Sequence, residues 1–280
     1  MAKNTIWIAG ASGKMGSALM KILRADVENK IIGTDVDTDI TDLDAVKQAA
    51  EIYRPNIIIN CASISDVDYC EEHMVEAFKV NALGARNLAS AAQHVNAKII
   101  QLSTDDVFDG NKSGFVTEFD MPKPISVYAK SKLAAENYVR ELNPKHLIVR
   151  SSWVYGIGKG DYYSYVLEQG KNGTKFEAPT DYISSPTSAQ DLAEIIVRLL
   201  NHAEFGIIHA SSEGSCSRYD FAKAILAANG LDTNLVVPST SQLGETSTLL
   251  ENLMLKMLEI YEMPNWQDGL NEYIESVKEA

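Results

Sequence analysis

Three positions in the chain carry a tyrosine followed four residues later by a lysine: Tyr128/Lys132, Tyr155/Lys159 and Tyr219/Lys223. On a helix, residues i and i+4 share a face, so an ammonium there can sit beneath a phenol, lower its pKa and turn it into a proton donor and acceptor. Spacing alone does not choose among the three; context does. Tyr155 and Lys159 span two glycines in a loop, and Tyr219/Lys223 lies far downstream with no strand feeding it. Tyr128 and Lys132 open an amphipathic helix that follows a strand ending Leu102-Ser103-Thr104-Asp105. A tyrosine so placed can exchange a proton with a hydroxyl or carbonyl, and Thr104 would orient the same oxygen. The plainer reading is a surface helix with an amphipathic tyrosine and a solvated lysine.

Proton exchange at a carbonyl becomes redox chemistry if a hydride carrier is at hand, and the N-terminus offers a seat for one. Gly10-Ala11-Ser12-Gly13-Lys14-Met15-Gly16 places three glycines at spacings of three between an apolar strand and a helix. The first glycine permits a tight turn, the second lets the backbone approach a pyrophosphate and the third allows close helix packing, while the helix N-terminus presents free N–H groups. An ordinary glycine-rich turn is the alternative; the strand, loop, helix and second strand in register favour the dinucleotide. Asp35 ends the second strand about 20 residues further on, where a carboxylate accepts hydrogen bonds from the adenosine ribose. It could instead cap a loop in a run that includes Asp37, Asp39 and Asp42. Val36 follows where a cation would suit a 2′-phosphate, so NAD(H) is favoured over NADP(H). Asp39-Ile40 could contact the adenine.

These groups need a frame. Thr5–Ala9, Ile31–Asp35, Ile57–Cys61, Lys98–Ser103 and His146–Arg150 read as buried strands. Between them lie amphipathic helices over Lys14–Ala25, Leu43–Arg54, a long stretch within Val75–His94, and Tyr128–Leu142. Apolar strands alternating with helices predict an α/β fold with a doubly wound parallel sheet of Rossmann type. The pattern loosens after Arg150, so residues 1–150 are expected to bind the cofactor and 151–280 to form a smaller α/β substrate lobe. Helix Ala189–Leu200 and strand Gly206–His209 could return to the first sheet, and from Tyr219 onward the chain reads as helical.

Among the 280 residues, 38 acids against 25 bases leave a formal charge of −13, which argues against nucleic-acid and anionic-membrane partners. No apolar run approaches the ~18 residues of a membrane helix. Three scattered cysteines fit a reducing compartment, and Met1-Ala2-Lys3-Asn4 leaves no room for a signal peptide before Gly10, so a cytoplasmic protein is expected. The five histidines are isolated from one another, and the acidic runs Glu71-Glu72 and Asp42/Asp44 read as solvated faces. Trp7 reads as core. Trp153 is either core or substrate wall, and Tyr162, Tyr163 and Tyr165 either stack on a base or pack the second lobe.

The loop Gly10–Gly16, Ser103-Thr104-Asp105 with Val107-Phe108-Asp109-Gly110, and Tyr128-Ala129-Lys130-Ser131-Lys132 resemble an extended short-chain dehydrogenase/reductase. Asn60-Cys61-Ala62 with Val67-Asp68, Val80-Asn81, Arg150 to Gly156, Ser185-Pro186-Thr187 with Asp191-Leu192-Ala193, and Pro264-Asn265-Trp266 narrow the resemblance to the dTDP-4-dehydrorhamnose reductase family. That family performs the last step of dTDP-L-rhamnose synthesis, which feeds cell-wall polysaccharide. The resemblance implies that Tyr128 gives a proton to the C4 oxygen of a 4-keto sugar nucleotide while reduced nicotinamide gives hydride. It implies that Lys132 holds the nicotinamide ribose and tunes Tyr128, and that Val67, Thr104, Asp105 and Trp153 contact the substrate. Ser12, Gly13, Lys14, Met15, Asp39, Ile40, Ala62, Ser63, Ile64 and Ser103 would hold the cofactor. A monomer or homodimer is expected.

The chain departs from the family in several places. Ser63-Ile64-Ser65 stands where Ala-Tyr-Thr is usual, and Asp105-Asp106 where Asp-Tyr is usual. An Arg-Pro that helps bind the substrate pyrophosphate is expected near Glu245-Thr246, so either another cation serves or the substrate differs. Met15 and Gln190 stand near the glutamates that some members use for magnesium, so no metal is expected. These departures keep open an epimerase or dehydratase of the same superfamily, and a non-catalytic cofactor-binding regulatory subunit.

Overall fold

The runs Thr5–Ala9 and Ile57–Asn60 are almost wholly buried, as strands covered on both faces must be. In the computed structural model, which describes residues 4–25, 28–158, 160–241 and 246–278, they lie side by side at the centre of one parallel sheet. The first half runs β1 (Thr5–Ala9), α1 (Lys14–Ala25), β2 (Lys30–Thr34), α2 (Leu43–Tyr53), β3 (Ile57–Asn60), α3 (Val67–Glu72), α4 (Met74–Phe78), α5 (Ala85–His94), β4 (Lys98–Thr104), β5 (Phe115–Val116), α6 (Val127–Leu142) and β6 (His146–Ser151). The second half runs β7 (Val154–Tyr155), α7 (Tyr162–Asn172), β8 (Phe176–Pro179), β9 (Tyr182–Ser184), β10 (Thr187–Ser188), α8 (Ala189–Leu199), β11 (Gly206–His209), β12 (Cys216–Ser217), α9 (Arg218–Ala228), β13 (Val236–Ser239), β14 (Thr246–Ser247), β15 (Leu249–Leu250), α10 (Leu253–Met257) and α11 (Trp266–Lys278).

The six-stranded sheet has the order β11-β6-β4-β3-β1-β2. The chain leaves β1 for β2 on one side and continues with β3 on the other, so the crevice beyond the carboxyl ends of β1 and β3 is the switch point where doubly wound sheets take ligands. Strand β11 closes the far edge by pairing Ile207 with Ile148. One apolar layer, with Leu19, Leu23, Ile195, Ile196 and Leu199, covers the sheet with α1 and α8. The other, with Trp7, Val46, Ala85, Leu88, Ala89, Ala92 and Val139, covers it with α2, α5 and α6. Trp7 is fully buried, and its indole N–H donates to Thr34 Oγ1 at 2.8 Å. A third cluster packs the second lobe and takes in Tyr155, Tyr163, Phe221, Trp266 and Tyr273.

One expectation needs correction and two gain detail. The stretch Val75–His94 is helical throughout, as expected, but α4 and α5 are joined within it by a π-helical segment over Lys79–Gly84. There the Asn81 amide reaches out of the helix to Ile64 N, Ile64 O and Ser131 Oγ at 2.7–3.0 Å, and Gly84 packs on Ile40, whose Cδ1 would lie 2.5 Å from a Cβ. The C-terminal part is not simply helical: Val236–Ser239 forms a strand beside Phe176–Pro179. The acids read as solvated also cap helices. Asp42 accepts from Asp44 N and Ala45 N at the start of α2, and Glu71 accepts from Val127 N at the start of α6.

Candidate active site

The glycine loop shows why its residues cannot be otherwise. Gly10 has φ +77°, and a Cβ there would lie 2.6 Å from Ala62 N; at Gly16 a Cβ would lie 2.1 Å from Gly10 O. Gly13 is less constrained, its would-be Cβ 3.3 Å from the same oxygen. The first N–H groups of a helix have no intrahelical acceptor, so those of Lys14 and Met15, at the start of α1, are what the loop offers an anion. Asp35 turns back onto the loop tip and accepts from Ser12 N at 2.8 Å and from Ser12 Oγ. Lys14 reaches across to the start of α7 and pairs with Asp161 at 3.1 Å.

The neighbouring loops complete the crevice. Asp39 is exposed and accepts from Thr41 N at 2.8 Å, a hydrogen bond that holds its carboxyl below the usual range. The Ile40 side chain is buried beneath Gly84 and its carbonyl accepts from Asn87 Nδ2, so Ile40 shapes the floor from below. Ala62 N donates to Asn60 Oδ1 at 3.1 Å, Ser63 is exposed, and Ile64 is gripped at both main-chain atoms by Asn81. Val67 is exposed at the start of α3.

Strand β4 and helix α6 bring the acid–base groups together. Thr104 is buried at the end of β4, with Oγ1 3.2 Å from Asp105 Oδ1 and from Asp106 Oδ2. Burial first, and then the carboxylates of Asp106 and Asp105, push the Tyr128 phenol above its ordinary range, while a hydrogen bond with Thr104 pulls the other way. The expectation that Lys132 lies beneath the Tyr128 hydroxyl and lowers its pKa is therefore corrected. Lys132 Nζ is buried and donates to Leu102 O at 2.8 Å, because an ammonium removed from water takes the carbonyl within reach. Burial draws it down to about 8, against the field of Glu136. Asp105 is buried and accepts from Ser184 Oγ at 3.0 Å; burial and then the charge of Asp106 push it upward. Asp106 is pushed upward by burial, against Thr104 and the charge of Arg218.

The family model of the RmlD substrate binding domain matches residues 4–279. The chain belongs to that family. It is 31% identical over 279 residues, 98% of each chain, to the spore coat polysaccharide biosynthesis protein SpsK of Bacillus subtilis. It is similar in structure to a dTDP-4-dehydrorhamnose reductase from Clostridium acetobutylicum, with a TM-score of 0.94 and 38% identity, covering 98% of this chain and 99% of that one. The dTDP-4-dehydrorhamnose reductase of Bacillus anthracis in complex with NADP gives a TM-score of 0.94 at 35% identity with the same coverage.

In this RmlD-family chain, reasoning from sequence passed over several groups that shape the site. Ser103 Oγ donates to Glu136 Oε1 at 2.6 Å, and Glu136 in turn holds Arg150 through a bidentate pair of 2.6 and 2.9 Å in which both side chains are 1% exposed. Glu136 lies four residues after Lys132 on the buried face of α6, a spacing that was open to reading. Trp153 is half-buried with φ +41°, a left-handed backbone that costs a bulky residue of order 1–3 kcal/mol. Its ring meets Tyr182 edge-on at 5.2 Å, and the Arg218 guanidinium lies 3.6 Å over its face. Tyr162 and Tyr163 pack the second lobe, whereas Tyr165 is 44% exposed. His209 is buried and held down to about 3, by burial and by Arg150. Among the described residues no group of three or more His, Cys, Asp or Glu side chains is placed to hold a metal, and no helix is long and apolar enough to cross a membrane.

Proposed function

We propose that this chain reduces the 4-keto group of a nucleotide-linked deoxysugar, dTDP-4-dehydrorhamnose in the first instance, to the corresponding alcohol. The observation that carries this reading is Thr104 beside the Tyr128 phenol, with Lys132 one turn further along the same helix, at the carboxyl edge of a parallel sheet whose switch point bears a tight glycine loop. A reduced nicotinamide, when bound, supplies the hydride. Residues 1–150 form its seat, joined by about 187–210, which return to the first sheet, and the rest of 151–280 forms the substrate wall. Thr104 Oγ1 and the Tyr128 hydroxyl point the substrate carbonyl oxygen, and Tyr128, kept neutral by its surroundings, gives that oxygen its proton. Lys132 holds the nicotinamide ribose hydroxyls and, once drawn from Leu102 O, stabilises the phenolate left behind. Val67, Asp105 and Trp153 bound the sugar.

Both nicotinamide cofactors suit this loop, with NADH preferred. The Asp35 carboxylate at the loop tip would accept ribose hydroxyls and repel a 2′-phosphate, and the residue after it is the 94% exposed Val36. The resident compartment is the cytoplasm, in keeping with three free cysteines. The test is oxidation of NADH and NADPH by purified protein with 4-keto sugars carried on dTDP, UDP, GDP and CDP. Turnover with the dTDP substrate, lost in Tyr128→Phe, is the expected result. No turnover with any of them, or NAD retained tightly through purification as an epimerase retains it, sinks the reading.

A further inference from the structure

A substrate that carries a diphosphate must bring two negative charges into a chain of formal charge −13, beside a site already holding Asp105 and Asp106. The cofactor loop answers its own pyrophosphate with main-chain N–H groups, but the substrate wall has no such loop. What the wall does have is Arg218, at the first turn of α9. Its guanidinium lies 3.6 Å from the ring centre of Trp153, 4.5 Å from that of Tyr162 and 5.5 Å from that of Tyr182. Among the described residues it makes no ion pair within 4.0 Å, although its charge reaches Asp106.

Stacking uses the flat face of a guanidinium and leaves its N–H fork in the plane of the group free for a second partner. An arginine held by aromatic faces and by no carboxylate is therefore fixed in place with its hydrogen-bonding edge unspent. Beside it, the indole N–H of Trp153 is buried without a partner in normal hydrogen-bond geometry, its influence reaching the Tyr182 hydroxyl. A buried donor with no well-aligned acceptor can serve an incoming oxygen. A charged donor and a neutral one thus lie side by side on the second lobe, the guanidinium 3.6 Å from the centre of the Trp153 ring.

We infer that Arg218, backed by the Trp153 indole N–H, is the anion subsite that binds the diphosphate of the nucleotide substrate. This rests on the reductase reading for its substrate class and supplies the cation missing near Glu245, a residue outside the described ones. Arg218 binds without touching the reacting carbonyl, so it governs affinity and leaves the chemical step to Tyr128. Oxygen acceptors of a diphosphate match the planar fork two at a time, which a lysine cannot imitate.

The experiment uses the whole chain and two probes, dTDP and NADH, titrated calorimetrically against wild type, Arg218→Met and Arg218→Lys. Methionine keeps the stem and the apolar contact with the rings while removing the fork. The expected result is a loss of about 10- to 100-fold in dTDP affinity for Arg218→Met, the range for removing charge-assisted hydrogen bonds, with a smaller loss for Arg218→Lys. NADH affinity stays within about twofold, and the melting temperature changes by no more than a few degrees. In turnover, KM for the nucleotide sugar rises by the same factor and kcat holds within about threefold. Wild-type dTDP affinity in Arg218→Met, or equal loss of dTDP and NADH, overturns the subsite. If dTDP binding depends on Arg218 but no 4-keto sugar is reduced, the subsite stands and the reductase reading falls. Reduction by Arg218→Met at an unchanged KM does the reverse.

Discussion

The proposed cofactor crevice and the proposed substrate wall are built on opposite principles. At the glycine loop the groups offered come from one short stretch, Gly10 to Gly16, and are main chain; side chains matter there chiefly by being absent, since a Cβ at Gly16 would lie 2.1 Å from Gly10 O. The wall is assembled from Trp153, Tyr162, Tyr182 and Arg218, which come from a loop, α7, β9 and α9 and meet only in the folded chain. A main-chain site tolerates no added atom but is indifferent to most side-chain identities. A side-chain site can be retuned one residue at a time, so substrate choice can drift while the cofactor stays.

Tyr128→Phe is the sharpest way to separate the two. It removes the proton donor at the junction of crevice and wall and is expected to lower kcat by about 10²- to 10⁴-fold with NADH affinity intact, as single-turnover rates and a cofactor titration will show. Gly16→Ala attacks the crevice alone. Its methyl group has to displace backbone, at a cost of about 1–3 kcal/mol in stability and a cofactor affinity too weak to saturate, while dTDP still binds. Retention of NADH binding in that variant would break the contrast. Asp35→Ala is milder: NADH affinity should fall about tenfold as charge-assisted ribose contacts go, NADPH affinity should fall less or rise, and the ratio of the two dissociation constants is the readout. Asp106→Asn acts through charge on the wall side. Tyr128 must be neutral to donate, and Asp106 raises its pKa; removing that charge lowers it, so the alkaline limb of kcat/KM moves to lower pH. The same substitution bears on stability. Asp105 is raised in the folded state, so the fold holds its proton more tightly than the unfolded chain and loses stability as pH climbs through its titration. Asp106→Asn should flatten that loss in a pH series of thermal melts.

How far the sequence could be read follows from the same contrast. The glycine loop, the parallel strands and the Tyr128/Lys132 helix are local: each is set by neighbours a turn or a strand away, and periodicity shows them. Strand Gly206–His209 was legible for the same reason, as a short apolar run, even though its partner β6 is far away in the chain. The π turn at Lys79–Gly84 was not legible, because hydrogen bonds from Asn81 to Ile64 and Ser131, two distant segments, decide it. The pKa order at the centre was missed on the same grounds. An i, i+4 spacing puts Lys132 and Tyr128 on one face but says nothing of Leu102 O, which takes the ammonium, or of Asp106, which raises the phenol. Arg218 gave no signal at all, since its meaning lies in three aromatic rings contributed by other elements.

The backbone at Trp153 has a consequence for how this protein would respond to selection. Its φ of +41° is one that glycine adopts at ease and tryptophan does not. A search for heat-resistant variants that scored folding alone would discard the tryptophan early and be rewarded for it. A search that scored turnover would keep it in every survivor. Sequencing both pools at this one codon would show whether the site is worth more to the cell than the stability it forgoes.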